Sequence, residues 1–310
     1  DTRRLEGGAV WGGSPRRAGW SGPLPGTGIQ HSRGNGMEDK KLVSRFVVLT
    51  FCIAYGVSGA LVVLGRWGYQ VYGWVQTPAQ WAANLPFALY ILSPAIASYG
   101  TLRRSGRAIS FPRWLGAVFH VEKKGAPYLF VAAGLVVYFA IHGIAFGQVR
   151  LSLPLSAFFL SLPGNLIIGG MEEAGWSYLL QPALCRRWGY LRSCLLTGGI
   201  WILWHIPLFF IPGTSHEQGM ISFWMFAVQC LSLRFFFGAV IQLWGESAVF
   251  LCVLFHTMFN AAFSAFGSMT TTWRGTMGAN GAIVLLSAAA VAISGKGSAK
   301  AYGKHGEGAG

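Results

Sequence analysis

The sequence predicts an all-α, polytopic membrane protein of about eight transmembrane helices with both termini cytoplasmic. Three observations lead there. Charged residues make up 11% of the 310, less than half the roughly 25% of soluble domains, while 53% are hydrophobic and the mean hydropathy is +0.47. Eight apolar stretches approach or exceed the about 20 residues that a helix needs to cross a bilayer. Lys and Arg fall in alternate loops, as the positive-inside rule requires. The net charge of +14 would by itself suit nucleic acid or an anionic membrane. The hydropathy decides for the membrane, against nucleic acid as a partner and against an ordinary soluble enzyme.

Residues 1–36 are rich in Gly, Arg and Pro and contain no Met, and read as a disordered extension. Met37 opens MEDKKLVSRF, which looks like a natural start before a first membrane helix. An integral membrane domain is expected over 37–295, with 296–310 as a flexible tail. Span one, 44–65, follows eight cations, from Arg3 to Arg45. Span two, 84–102, is followed by six (Arg103, Arg104, Arg107, Arg113, Lys123 and Lys124), which place its end inside. Span three, 127–148, leads outward. Span four, 152–181, is long and broken by Pro163-Gly164. Arg186, Arg187 and Arg192 then mark a cytoplasmic loop before span five, 192–212. Spans six and seven, 220–241 and 247–266, are joined by a loop without cations, and Glu246 suits a helix N-terminus. Span eight, 279–294, is short and Ala-rich and precedes Lys296, Lys300 and Lys304. The outer loops hold only Arg66, Arg150 and Arg274. Five cysteines, with no C-x-x-C, lie in or beside apolar runs and read as core thiols rather than as a disulfide framework or zinc knuckle.

An ionisable group inside a span costs several kcal/mol unless paired or hydrated, so each is a functional hypothesis. Those present are Glu172 and Glu173 in span four, His205 in span five, Arg234 in span six, His256 with Asn260 in span seven, and an isolated His142 in span three. At about 1.5 Å per residue, Glu172, His205 and His256 lie roughly 21, 20 and 15 Å from the inner surface. Three helices thus bring catalytic-type groups to a similar level. His256 and Asn260, at i and i+4, share a helix face, whereas Glu172 and Glu173 point about 100° apart. Such groups suit attack of water on a carbonyl. A carboxylate takes the proton, an imidazole holds the water, and donors from another helix stabilise the oxyanion.

At these residues the sequence resembles the CPBP family, the CAAX proteases and bacteriocin-processing enzymes also called the Abi family. GGMEEAGWSYLLQP (169–182) is similar to the family's E-E-x-x-x-R motif in its prokaryotic E-E-x-G-W form. WILWHIP (201–207) is similar to F-x-x-x-H, and HTMFN (256–260) to H-x-x-x-N. The resemblance covers about a hundred residues and implies a protease core over 152–266. It implies an intramembrane endopeptidase, in the cell membrane of a prokaryote, in which Glu172 activates water with His205, Glu173 assists, and His256 and Asn260 line the oxyanion site. The substrate would be a peptide or protein at the bilayer, lipidated or not, reaching the site from the cytoplasmic side. Two mechanisms stay open: a divalent metal such as zinc held by Glu172, His205 and His256 with water in the fourth position, or metal-free glutamate catalysis by the same groups.

Two positions depart from the motifs. Ser177 stands where the family has Arg, so Glu173 lacks its i+4 cation; either Arg234 replaces it or Glu173 carries a proton. Trp201 stands where the second motif has Phe. The blander readings are a structural ion pair for Arg234, a hydrogen-bonded core residue for His142, interhelical glue for Asn260, and interface anchors for Trp67, Tyr69, Trp74 and Tyr190. Gly169-Gly170 and Gly198-Gly199 are expected to permit close helix approach. His216-Glu217 lacks the second His of a zincin site. Two other functions compete: a non-catalytic scaffold or bacteriocin self-immunity protein, and a bis-His haem b protein ligated by His205 and His256.

Overall fold

Low charge and long apolar runs leave the backbone of this chain one way to satisfy its polar groups inside a bilayer, which is to hydrogen-bond within helices. The computed structural model describes residues 36–73, 75, 77–105, 109–146, 154–266 and 272–304, and among them every regular element is helical. In chain order these are α1 (Gly36–Gly65), the pair α2 (Pro78–Ile91) and α3 (Ser93–Arg104), the short α4 (Phe111–Val118), α5 (Gly125–Phe146) and α6 (Leu155–Ile167). After them come α7 (Glu173–Gly175), α8 (Gln181–His205), α9 (Phe223–Trp244), α10 (Val249–Ala265) and α11 (Trp273–Lys304). The expected extension lies outside the described residues except for Gly36, where α1 begins. Helix α11 runs past the boundary expected at 295 to Lys304; residues 305–310 lie outside the description.

By length and composition the described residues hold six candidate spans, or seven if the α2–α3 pair, bent by 50°, crosses once. Eight were expected. The difference lies in 155–209, where spans four and five fall within one 55-residue helical run, Leu155–Phe209. A straight helix of that length would measure about 83 Å, well over twice the roughly 30 Å hydrocarbon core, and the run is indeed interrupted. It breaks at Gly169 (φ 122°) and at Gly189 (φ 74°), conformations that favour glycine because it has no Cβ. The break expected at Pro163-Gly164 is not there. Helix α6 continues through Pro163 and ends at Ile167, and the next carbonyl, of Ile168, accepts a hydrogen bond from Asn260 Nδ2 at 3.0 Å.

Helix α11 packs along α9 and α5, α8 along α9, α10 on α6, and α1 against α2 and α3. Between them lies a core that includes Trp176, Trp204, Phe236, Phe237, Phe255 and Phe259. Large apolar side chains such as Leu129, Ile144, Leu160, Leu285 and Ile293 point outward, as a lipid-facing surface requires and a water-facing one would not tolerate. The chain is an integral membrane protein. At one end of the bundle Arg186 joins Asp39 at 3.2 Å and Glu246 at 2.8 Å, tying the starts of α1 and of the segment before α10 to α8. All five cysteines are free; Cys194, Cys230 and Cys252 are buried, whereas Cys52 is exposed on α1 rather than in the core.

Candidate active site

The site is built where α6, α8, α9 and α10 meet the interrupted segment 168–180. Gly170–Glu172 forms a single tight 3-10 turn, Glu173–Gly175 one α turn, and Trp176–Leu180 a π turn. π turns insert an extra residue into a helix and are often found at functional positions. The chain approaches its neighbours closely here. A Cβ on Gly169 would strike Asn260 Nδ2 and come within 3.1 Å of His256 Nε2, and one on Gly175 would lie 2.6 Å from the Pro94 backbone. A Cβ on Gly170 would strike Thr257, and one on Gly198 would come within 2.7 Å of Leu231. Gly199 has open space instead, so the close approach expected of it is absent.

Helix α8 carries His205 at its C-terminal end, where backbone carbonyls lose their intrahelical donors. Pro207 has no N–H to offer Leu203. Tyr55 of α1 and Tyr90 of α2 supply hydroxyl groups instead, donating to the carbonyls of Leu203 and Trp204 at 2.7 Å each. The Trp204 indole N–H in turn donates to Ser93 at 2.9 Å. The bent α2–α3 pair therefore holds the end of α8 in place.

Within this frame Glu172, Glu173, His205 and His256 are all buried, and Asn260 is partly so. Glu172 Oε2 accepts from the Trp201 indole N–H at 2.8 Å and, more weakly, from that of Trp176 at 3.4 Å. Among the described residues no group hydrogen-bonds its other oxygen. Glu173 is engaged through both. Its Oε1 accepts from Arg234 Nη2 at 2.7 Å and from His256 Nδ1 at 3.0 Å, and its Oε2 from the Ser177 hydroxyl in a close contact. The cation missing at 177 is thus supplied by Arg234 from another helix, in an ion pair whose two side chains are wholly buried. His205 Nδ1 donates to the Trp201 carbonyl at 2.8 Å. A carbonyl can only accept, so Nδ1 carries a hydrogen, and in the neutral form of the ring Nε2 is the acceptor. Phe226 closes one side of that ring, 4.8 Å between centroids.

The five residues expected at the site are brought together. Sequence reasoning missed how much Trp201 does: its N–H reaches Glu172, its carbonyl reaches His205, and its ring lies 4.5 Å from the Arg234 guanidinium carbon and 5.5 Å from the His256 ring. The signal was available in its place one helical turn before His205, on the same face. His142 is buried beside Tyr138 as expected of a core residue, but its Nε2 has no hydrogen-bond partner among the described residues. Tyr190 is tied to the Phe235 carbonyl at 2.7 Å, Trp67 stands exposed as an anchor would, and Trp74 lies outside the described residues. His216 is packed between Phe209 and Phe226.

The donor set offered to a metal does not assemble. Among the described residues no group of three or more His, Cys, Asp or Glu side chains is arranged to hold a metal ion.

Residues 154–262, from the residue before α6 to two beyond Asn260, match the family model of type II CAAX prenyl endopeptidase Rce1-like. This segment is similar to the CAAX-protease family. The match takes in all three motifs and also Arg234, so the cation that replaces the motif's own lies within the matched segment. No curated protein gives a match to the chain.

Proposed function

We propose that the chain is an intramembrane endopeptidase in which Glu172 and His205 activate a water molecule without a metal. The observation that carries this reading is the division of labour between the adjacent carboxylates. Glu173 has both oxygens occupied by Arg234, His256 and Ser177, whereas among the described residues nothing hydrogen-bonds the second oxygen of Glu172. Glu172 takes the proton of the attacking water, His205 Nε2 helps hold that water, and Glu172 delivers the proton to the leaving amine. His256 and Asn260, both packed against Gly169, line the place where the carbonyl oxygen gains charge. Glu173 is an orienting group that fixes His256.

The substrate is a peptide within reach of a buried site. The family model is named for prenylated CAAX substrates, and a direct comparison tests whether that extends to this chain. Two internally quenched peptides serve as probes, one ending in a farnesylated cysteine followed by three residues, the other its unfarnesylated twin. Purified wild type in lipid nanodiscs is expected to cut at least one of them and Glu172→Gln to cut neither. Membrane-associated peptides from cells expressing the two forms at matched levels, compared by mass spectrometry, extend the search beyond these probes. Identical cleavage of the peptides by wild type and Glu172→Gln would defeat the reading.

A further inference from the structure

Trp201 and Arg234 are the two residues of the site that departures from the family motifs bring into view, and they touch each other. The Arg234 guanidinium carbon lies 4.5 Å above the Trp201 ring and 4.3 Å from the Phe237 ring. Its Nη2 is spent on Glu173, while Nε and Nη1 have no hydrogen-bond partner among the described residues. A wholly buried guanidinium is costly unless something replaces its water. Here the two aromatic faces do so, since a ring's negative face attracts a cation most strongly where water is excluded.

We infer that Trp201 and Arg234 form one positioning unit, in which the Trp201 indole N–H sets the direction of the Glu172 carboxylate while its ring anchors the cation that holds Glu173. The inference rests on the reaction proposed above and deepens it. Phenylalanine at 201 would present a ring to Arg234 but has no N–H for Glu172. The indole meets both needs at once. Its donor lies in the ring plane and its negative charge density on the ring face, so one side chain addresses the free carboxylate and the bound cation in different directions. The same residue's carbonyl holds His205 Nδ1, so a shift of Trp201 reaches both groups that activate water. Trp201 and Arg234 are positioning residues, acting through Glu172 and Glu173.

The test combines a spectroscopic readout with kinetics. The chain is prepared with 5-fluorotryptophan, and the resonance of residue 201 is assigned as the one lost in Trp201→Phe. The inference expects that resonance to move in both Glu172→Gln and Arg234→Lys. It expects Trp201→Phe, eluting as a folded species, to lower kcat on the peptide probes at least tenfold while KM stays within about twofold. A resonance unmoved in either variant overturns the unit. So does a Trp201→Phe enzyme with wild-type kcat. A wild type that cuts neither probe while the resonance moves in both variants counts against the proposed reaction and leaves the linkage standing.

Discussion

Arg234 Nη2 lies 2.7 Å from Glu173 Oε1, and neither side chain is exposed. A charge pair of this kind is held in place by mutual need. Its net contribution against an apolar pair can be small, but removing one member strands the other. Arg234→Met is therefore expected to destabilise the protein by about 3–5 kcal/mol. The double variant Glu173→Gln/Arg234→Met should recover a measurable part of that loss. Reversible unfolding in mixed micelles checks both. Additive losses in the double variant would show that the pair is not coupled.

Gly169 makes a second prediction. Its φ of 122° and its contact with Asn260 and His256 leave no room for a methyl group. Gly169→Ala should cost more than the about 1 kcal/mol of an ordinary backbone preference, because the strain adds to a clash with two site residues. Peptide cleavage should fall with it. Gly199→Ala, whose Cβ would meet nothing within 4 Å, serves as the control and should keep near-wild-type stability and cleavage.

His216 gives a pH dependence outside the spans. Burial pushes its imidazole down from the ordinary 6.5 to about 4. In the unfolded chain it binds a proton as pH falls through 6.5, whereas the folded chain resists until about 4. Its contribution to stability is therefore complete above pH 6.5 and is lost as pH falls toward 4. Thermal unfolding of wild type and His216→Phe between pH 4 and 7 should show a steeper decline in the wild type. Parallel curves would rule this out.

The end of the bundle is held more loosely. Arg186 pairs with Asp39 and Glu246, and all three side chains retain some exposure, 18%, 15% and 32%. Such pairs contribute about 0–1 kcal/mol each and weaken in salt. Arg186→Ala should lower the unfolding temperature slightly at low ionic strength and less at 1 M salt. An effect that did not shrink with salt would point to packing of the side chain instead.

How far the sequence carries depends on which physical signal is asked. His256 and Asn260 were legible because a four-residue spacing puts them on one helix face, and Arg234 because it was the one intramembrane cation left without a partner. The helical class followed from hydropathy alone. The number of spans did not, because cations count loops while the helices of 155–209 join end to end through Gly169 and Gly189. Pro163 misled for a related reason. A proline costs one hydrogen bond and a clash but does not force the chain to reverse, whereas a glycine at positive φ does redirect it. Trp201 was seen only as an aromatic substitute. Its contact to His205 follows from the four-residue spacing on α8, but those to Glu172 and Arg234 come from other helical segments meeting α8, which no spacing within one helix encodes.

In the proposed reaction Glu172 delivers water to a peptide carbonyl. The most direct measurement is cleavage of a probe peptide by the purified protein in water enriched in oxygen-18, followed by mass spectrometry of the new C-terminus. One heavy oxygen is expected in that carboxylate with wild type, no product with Glu172→Gln, and little with His205→Ala. Product formed at the wild-type rate by Glu172→Gln would contradict it.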